Sequence, residues 1–251
     1  MEHITSVHNP RIKAWKKLQR KRERDRSGLF LAEGRHLVEE ALKSEVQVKV
    51  IIIEESVELP PEWQVSDVEV IEVPEKVLRE LAETETPQGM TAVCERPDRH
   101  NLLLESGRFL LLDRIQDPGN LGSILRTAEA AGMTGVIFGE GCADPYNGKV
   151  VRATQGALFS MHVQQMDLEE AVDLCRENGV PIFGTSLSGS TFTAIAPQDS
   201  FALLLGNEGE GVDEALLEKA DQNLYIPIYG RSDSLNVGVA AGILIYHLRG
   251  D

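Results

Sequence analysis

The sequence predicts an α/β protein whose C-terminal half folds around a mostly parallel sheet covered by helices on both faces. From residue 109 onward, short apolar segments alternate with longer segments that have helical spacing. A smaller α/β pattern precedes this region, and a polar stretch separates the two. With 251 residues, 42% of them hydrophobic, the chain can bury two modest cores. We therefore expect a domain at 1–95, a linker at 96–108 and a second domain at 109–251.

The first half opens with a helix signal. Asn9 is typical of an N-cap and Pro10 of a first helical residue, and Ile12, Trp15 and Leu18 then recur every three residues. β-branched and apolar runs predict the strands that follow, and helical spacing predicts the helices. In order, we expect a helix around 37–42, strands at 46–53 and 68–73, a helix from Pro74 and a short strand at 91–94.

The second half alternates more regularly. Strands are predicted at 109–113, 135–138, 181–185, 202–205 and 224–228, and helices at 120–131, 150–158, 168–178, 212–219 and 237–248. In open α/β sheets of this kind, ligands bind at the carboxyl ends of the strands. The loops that follow strands are therefore the places to look for function.

The charge is segregated. Lys and Arg total 25 and Asp and Glu total 40, a net charge of −15, which taken as an average argues against a nucleic-acid partner. Residues 11–26, however, hold nine basic and two acidic side chains, a net of +7, which leaves −22 for the rest. This segment is either a solvated helix packed by its apolar stripe or a helix that binds phosphates.

Several classes of protein are disfavoured. The three cysteines are widely spaced without a C-x-x-C or Cys/His cluster, so neither a disulfide framework nor a metal site is expected. The longest mostly apolar stretch, 235–248, contains Asn236 and His247 and falls short of the ~18 apolar residues of a membrane span. We expect a cytoplasmic protein with reduced thiols and no membrane contact.

Three loops that follow strands have unusual composition: 113–120, 205–211 and 226–236. The first contains Asn120, itself a plausible N-cap, and leads into a helix carrying Arg126, a side chain suited to phosphate. The second has the spacing G-x-x-G-x-G with two carboxylates, which does not match a dinucleotide loop and is also compatible with a plain acidic turn. The third contains Ser234 and Asn236, each a weak signal alone.

Taken in order, these loops resemble the three motifs of the SpoU/TrmH family of RNA ribose 2′-O-methyltransferases, within the SPOUT superfamily. The matching segments are 117–128, 206–209 and 234–237. Upstream, 9–13 and 30–34 resemble the family's substrate-binding domain, which is similar to a ribosomal protein that binds RNA. Gly238 is a mild departure, where a Ser or similar small residue is expected.

The resemblance implies S-adenosylmethionine as methyl donor, a deep trefoil knot in the C-terminal domain, no metal, and a homodimer formed through that domain with active sites at the interface. The implied catalytic residues are Asn120, Arg126, Glu208, Ser234 and Asn236. The implied donor-binding residues are Thr185, Leu205, Gly206, Asn207, Gly209, Ile226, Ile228 and Leu235. The basic side chains expected to bind RNA are Arg11, Lys13, Lys16, Lys17, Arg20, Lys21 and Arg152.

The resemblance makes Arg126 the candidate that activates the ribose hydroxyl, and its chemistry indicates how. An arginine side chain stays protonated in proteins and is therefore a poor base, so we expect Arg126 to hold the phosphate next to the reacting ribose and to lower the pKa of the hydroxyl electrostatically. Glu208 and Asn236 would then orient the hydroxyl or Arg126.

Three other functions compete with methylation of 23S ribosomal RNA, which the two-domain layout favours. A transfer-RNA ribose methyltransferase shares the fold but commonly lacks the upstream domain. A catalytically idle RNA-binding protein predicts the loss of Arg126, Glu208 or Asn236, and all three are present. A dinucleotide enzyme predicts a glycine fingerprint after its first strand, which is absent.

Overall fold

The computed structural model describes residues 2–97 and 102–250. Residues 98–101 of the expected linker lie outside the described residues. The chain divides into two compact units: one holds 2–97 and 144–160, and the other holds 102–143 and 161–250. The first unit thus includes residues 144–160, which the sequence pattern assigns to the second domain. The spacing of apolar residues predicts a helix there, but it does not indicate on which sheet that helix packs.

The secondary structure alternates as the sequence predicts. The strands are β1 (Glu2–His3), β2 (Leu29–Glu33), β3 (Val48–Glu54), β4 (Glu69–Val73), β5 (Met90–Glu95), β6 (Arg108–Leu112), β7 (Gly135–Phe138), β8 (Val163–Gln165), β9 (Ile182–Thr191), β10 (Phe201–Leu205) and β11 (Gln222–Tyr225). The helices are α1 (Pro10–Lys17), α2 (Lys21–Ser27), α3 (Arg35–Lys43), α4 (Glu75–Leu81), α5 (Pro118–Ala130), α6 (Gly148–Thr154), α7 (Ala157–Ser160), α8 (Leu168–Glu177), α9 (Glu214–Lys219) and α10 (Val237–Arg249).

The first unit is built on a mixed five-stranded sheet in the order β1-β4-β3-β5-β2. β1, β3 and β4 run parallel, and β5 runs antiparallel to both of its neighbours. The predicted stripe of Ile12, Trp15 and Leu18 is buried in a cluster with residues of β3 and β4, such as Ile52 and Ile71. Burial of this stripe holds α1 against the unit's core.

Two predicted helices are interrupted. The basic segment forms α1 and α2 with a turn at 18–20, and Asn9 caps α1 by accepting a hydrogen bond from the Arg11 N–H at 2.8 Å. The helix expected at 150–158 breaks into α6 and α7, because Gln155 and Gly156 adopt positive φ angles of 52° and 96°. β1, β2 and β8 have no counterpart among the predicted elements.

The second unit contains a six-stranded sheet in the order β11-β9-β10-β6-β7-β8, and every neighbouring pair is parallel. This confirms the predicted mostly parallel sheet. All five residues of β10 are buried, as expected for a strand with both faces covered. Since the strands are parallel, the loops after β6, β10 and β11 lie along one edge of the sheet.

None of the helices within the described ranges has the length and apolar character that crossing a membrane requires.

Candidate active site

A chain of hydrogen bonds joins the three loops at the carboxyl edge of the parallel sheet. Asn120 donates from Nδ2 to Glu208 Oε1 at 2.9 Å, and Asn236 donates from Nδ2 to Asn120 Oδ1 at 2.8 Å. Residues 88 and 116 positions apart in sequence are thereby held together. The structure thus brings together three of the five predicted catalytic residues.

The sequence suggests Asn120 as an N-cap, and the structure corrects this. Asp117 caps α5, with Oδ1 accepting from the Asn120 N–H at 2.8 Å, and Pro118 is the first helical residue. Asn120 therefore lies within the first turn, where its amide is free to bridge Glu208 and Asn236. By contrast Asn236 does cap its helix, α10, and its Oδ1 accepts from Gly238 N–H at 2.9 Å.

Glu208 is held as a carboxylate. Burial opposes its ionisation, but the hydrogen bond from Asn120 and backbone N–H groups, including those of Gln116 and Asp117, outweigh that cost and lower its pKa below the ordinary value. The carboxylate is thus a fixed negative charge at neutral pH, and the Asn120 side-chain amide is oriented toward it.

A second network braces the same two loops, and sequence reasoning assigned it no role. Arg114 donates from Nε to Asp113 Oδ1 at 2.8 Å and from Nη1 to Glu210 Oε2 at 2.6 Å. Its carbonyl accepts from Asn207 Nδ2 at 3.0 Å, and Asp113 accepts from the Asp213 N–H at 2.8 Å. The hydrogen bond to Asp113 raises the pKa of Arg114 above its ordinary value. In the sequence, the only indication of this network is the adjacent opposite-charge pair Asp113 and Arg114, directly after a buried strand.

The glycines of the loop after β10 allow the tight turn that this loop makes. Asn207 and Gly211 form a bridge through two backbone hydrogen bonds of 3.0 and 2.9 Å. A Cβ on Gly206 would lie 2.1 Å from the backbone of Gly211 and Val212, so only glycine fits there. A Cβ on Gly209 would meet only Asn207 Oδ1, at 3.5 Å.

Arg126 and Ser234 lie apart from the cluster in the described chain. Both are exposed, and within the described ranges no hydrogen bond or ion pair joins either of them to Asn120, Glu208 or Asn236. Arg126 is six residues beyond Asn120 on α5, which corresponds to about 9 Å along the helix axis and a different side of the helix.

Helices α5 and α10 pack through small residues. A Cβ on Gly238 would lie 3.3 Å from Ser123 Oγ, and one on Gly242 would lie 3.7 Å from Thr127 Cγ2. Gly238, the mild departure from the family pattern, is therefore at a close approach between the two helices. Beyond this contact α10 leaves apolar side chains exposed, with Val239 at 53% and Tyr246 at 49%.

The residues expected to bind the methyl donor follow the strands along the same edge. Thr185 lies where β9 and β11 lose register, since Gly184 pairs with Asn223 but Ser190 pairs with Leu224. The intervening residues, 185–189, belong to β9 but have no partner in the register of β11. The other expected residues are Leu205, which ends β10; Gly206, Asn207 and Gly209 in the next loop; and Ile226, Ile228 and Leu235 after β11.

One polar atom beside this edge lacks a partner. Among the described residues, Asn223 Oδ1 is buried and accepts no hydrogen bond, while Asn223 Nδ2 donates to Leu217 O at 3.2 Å. A Cβ on Gly184 would lie 2.2 Å from this oxygen, so the absence of a side chain at Gly184 leaves room for the Asn223 amide. A buried acceptor of this kind suits a ligand that donates N–H groups.

Possible metal ligands are not clustered in the described ranges, and two of the three cysteines, Cys94 and Cys175, are buried. No group of three His, Cys, Asp or Glu side chains there is arranged to hold a metal ion. Burial raises the pKa of both the Cys94 and the Cys175 thiols to about 12, so both are protonated at neutral pH.

Comparison with known proteins identifies relatives for both halves of the chain. Residues 107–246 match the SpoU rRNA Methylase family, and residues 9–92 match the MRM3-like substrate binding domain. The chain is 47% identical over 251 residues, covering all of both proteins, to 23S rRNA (guanosine(2553)-2′-O)-methyltransferase RlmP of Bacillus subtilis (strain 168).

Two solved structures with bound AdoMet are similar over nearly the whole chain. The AdoMet-bound rRNA methyltransferase from Sinorhizobium meliloti has a TM-score of 0.88 and 34% identity, covering 99% of this chain and 97% of that one. The SpoU methyltransferase AviRb from Streptomyces viridochromogenes, with AdoMet, has a TM-score of 0.84 and 30% identity, covering 96% of this chain and 97% of that one.

Proposed function

The chain belongs to the SpoU rRNA Methylase family, and from that premise we propose that it methylates the ribose 2′-oxygen of a guanosine in 23S ribosomal RNA. The observation that carries the proposal is the hydrogen-bonded set of Asn120, Glu208 and Asn236, one from each motif loop. The full-length relative at 47% identity supports guanosine 2553 or its equivalent as the target. The cytoplasm, where ribosomal RNA is found, is the proposed location.

The reaction joins the ribose 2′-oxygen to a methyl carbon and releases a proton. S-adenosylmethionine, when bound, supplies the methyl group on a positively charged sulfur that leaves as a neutral thioether. A ribose hydroxyl is a weak nucleophile, and fixing its position relative to the methyl group can contribute as much as about 7–11 kcal/mol. Glu208, ionised and held by Asn120, accepts a hydrogen bond from the hydroxyl or from Arg126, and so orients it. Asn236 borders the same position through its hydrogen bond to Asn120, and Ser234, on the same loop as Asn236, completes the proposed catalytic set.

Arg126 acts on the phosphate beside the reacting ribose. An arginine binds phosphate through two parallel hydrogen bonds, and its charge favours a developing oxyanion nearby. The exposed guanidinium, without a carboxylate partner among the described residues, is available for that contact.

The donor-binding edge fits S-adenosylmethionine. Half-buried Ile226 and Ile228 offer an apolar wall for a nucleobase, and the loop at 205–209 offers backbone groups for the ribose and amino-acid parts. The buried, unsatisfied oxygen of Asn223 suits a ligand rich in N–H donors. Thr185, Leu205, Gly206, Asn207, Gly209 and Leu235 complete the proposed set.

The assembly is also part of the proposal. We infer a homodimer formed by the C-terminal domain, 109–251, with a trefoil knot in each copy and residues 1–95 binding RNA. The exposed Leu235, Val239 and Tyr246 provide an apolar surface for a second copy. Within one chain, Arg126 is separate from Asn120, Glu208 and Asn236. A dimer would allow Arg126 of one copy to join these three residues of the other.

Methyl transfer to an unmodified transcript tests the proposal. Purified protein is incubated with methyl-labelled S-adenosylmethionine and in vitro transcripts of 23S ribosomal RNA and of transfer RNA, and the labelled nucleotide is mapped. We expect label on one guanosine ribose of the ribosomal transcript. Label only on transfer RNA would identify the alternative substrate, and donor binding without transfer to either RNA would identify an idle RNA-binding protein.

A further inference from the structure

The basic segment at 11–26 is not uniformly free to bind a polyanion. Five of its nine cations are engaged by carboxylates: Arg11 by Glu2 and Glu69, Lys16 by Glu80, Lys21 by Asp25, Arg24 by Asp144 and Arg26 by Glu23. Arg152, also expected to bind RNA, donates to Glu33 at 3.0 Å and approaches Glu83 at 3.4 Å. Much of the charge counted in the sequence is therefore neutralised within the first unit.

Two of these pairs have a clear structural role. The side chain of Arg24 is only 3% exposed, and its guanidinium donates to the Leu18 carbonyl at 2.8 Å as well as to Asp144. The guanidinium of Arg11 lies over the ring of Trp15, 4.8 Å from its centroid, while it bonds the two carboxylates. Both side chains hold elements of the first unit together.

Three exposed cations form an unpaired row. Among the described residues, Lys13, Lys17 and Arg20 have no hydrogen bond or ion pair to a carboxylate. Arg22 also lacks one, but it lies in the next helix, α2, outside this row.

Helical geometry places Lys13 and Lys17 on the outer face of α1. At about 100° per residue, these two positions lie about 180° from the centre of the stripe formed by Ile12, Trp15 and Leu18. They are one helical turn apart. Arg20 lies in the turn that follows α1, and its N–H donates to the Lys17 carbonyl at 2.9 Å, so its backbone is one turn beyond Lys17.

From this division we propose that Lys13, Lys17 and Arg20 are the cations of the N-terminal unit that contact the RNA phosphate backbone, and that the paired cations of the segment are structural. The inference rests on the proposed function, since the partner is structured RNA. Each unpaired cation can neutralise a phosphate and release counterions. A paired cation gains less from a phosphate, because it must give up a carboxylate or leave that negative charge beside the RNA.

The test compares two triple variants of the full chain that change the net charge equally. In the row variant, Lys13→Gln, Lys17→Gln and Arg20→Gln remove the unpaired cations. In the matched control, Lys16→Gln, Lys21→Gln and Arg26→Gln remove three exposed, paired cations from the same segment. Binding to an unmodified 23S ribosomal RNA transcript is measured over a range of salt concentrations, with thermal unfolding to confirm that each variant is folded.

We expect the slope of log affinity against log salt to become shallower by about 3 in the row variant, one unit for each lost phosphate contact, and by less than about 1 in the control. A long-range effect of net charge would change both variants alike, so equal slopes would overturn the inference. A wild-type slope in the row variant would also overturn it. Methyl transfer by the wild-type protein is measured in parallel: its absence would reject the proposed function, whereas transfer with equal slopes would reject only this assignment.

Discussion

The basic segment of the N-terminal unit and the Glu208 cluster of the C-terminal unit treat charged side chains in opposite ways. In the N-terminal unit, carboxylates pair with five of the nine cations of the basic segment, and among the described residues Lys13, Lys17, Arg20 and Arg22 are left without a carboxylate partner. In the C-terminal unit, the carboxylate of Glu208 is held by a neutral amide and keeps its negative charge. The cations of the basic segment are thus neutralised where they join secondary-structure elements, whereas the Glu208 carboxylate keeps its charge at the candidate active site.

The largest effect is expected at Arg126, whose proposed role depends on a free cation in the C-terminal unit. Arg126→Ala should lower methyl transfer by about 10³-fold or more, because the charge that stabilises the developing oxyanion is lost. Donor affinity, measured by calorimetry, should stay near that of the wild type. The matched control is Arg176→Ala, an exposed arginine on α8, which should transfer normally. Loss of donor binding in Arg126→Ala would mean that its role is wrongly assigned.

Arg24 tests the opposite case, a cation whose charge is fully engaged. Arg24→Ala should lower the free energy of unfolding by about 3–5 kcal/mol, because it leaves Asp144 without its partner in a position that is 10% exposed. Chemical denaturation measures this, and the exposed pair of Arg79 and Glu75 provides the control: Arg79→Ala should cost at most about 1 kcal/mol. Equal losses in the two variants would contradict the contrast between structural and surface pairs.

Gly206 tests how tightly the acidic loop is built. Gly206→Ala should lower the free energy of unfolding by about 1–3 kcal/mol, since its Cβ would overlap the backbone of Gly211 and Val212. Gly209→Ala, in the same loop, meets only an ordinary contact and should fold like the wild type. Thermal unfolding of the two variants distinguishes them. A tolerated Gly206→Ala would show that this loop has room to shift.

The smallest effect is the pH dependence of Glu208. Its pKa is lowered by folding, so the stability it contributes is fully present above the unfolded value of about 4.3 and is lost as the pH falls through the lower folded value. The difference in unfolding free energy between wild type and Glu208→Gln should therefore be constant near neutral pH and change only in that acidic range. Denaturation between pH 3 and pH 7 measures it. A change centred near neutral pH would contradict the proposed hydrogen-bonded carboxylate.

Particular residues show how much of the fold and of the candidate site could be predicted from the sequence. The spacing of Ile12, Trp15 and Leu18 was enough to predict a buried helix stripe, and the strands of the second half predicted a parallel sheet. Asn120 was suggested as a cap, yet Asp117 takes that position because it precedes Pro118. Arg114 received no role, since its partner Glu210 is 96 residues away.

By itself, the sequence determined the order and type of most elements, the motif loops and the family to which the chain belongs, because periodicity, caps and loop chemistry are local properties. Tertiary structure alone decided which cations are neutralised and which polar groups meet, because those pairings join residues far apart in the chain. Lys16 and Lys17 are neighbours of the same type, but only Lys16 reaches Glu80 on α4. The two side chains point in directions about 100° apart around the helix axis, and a count of charges does not include that direction.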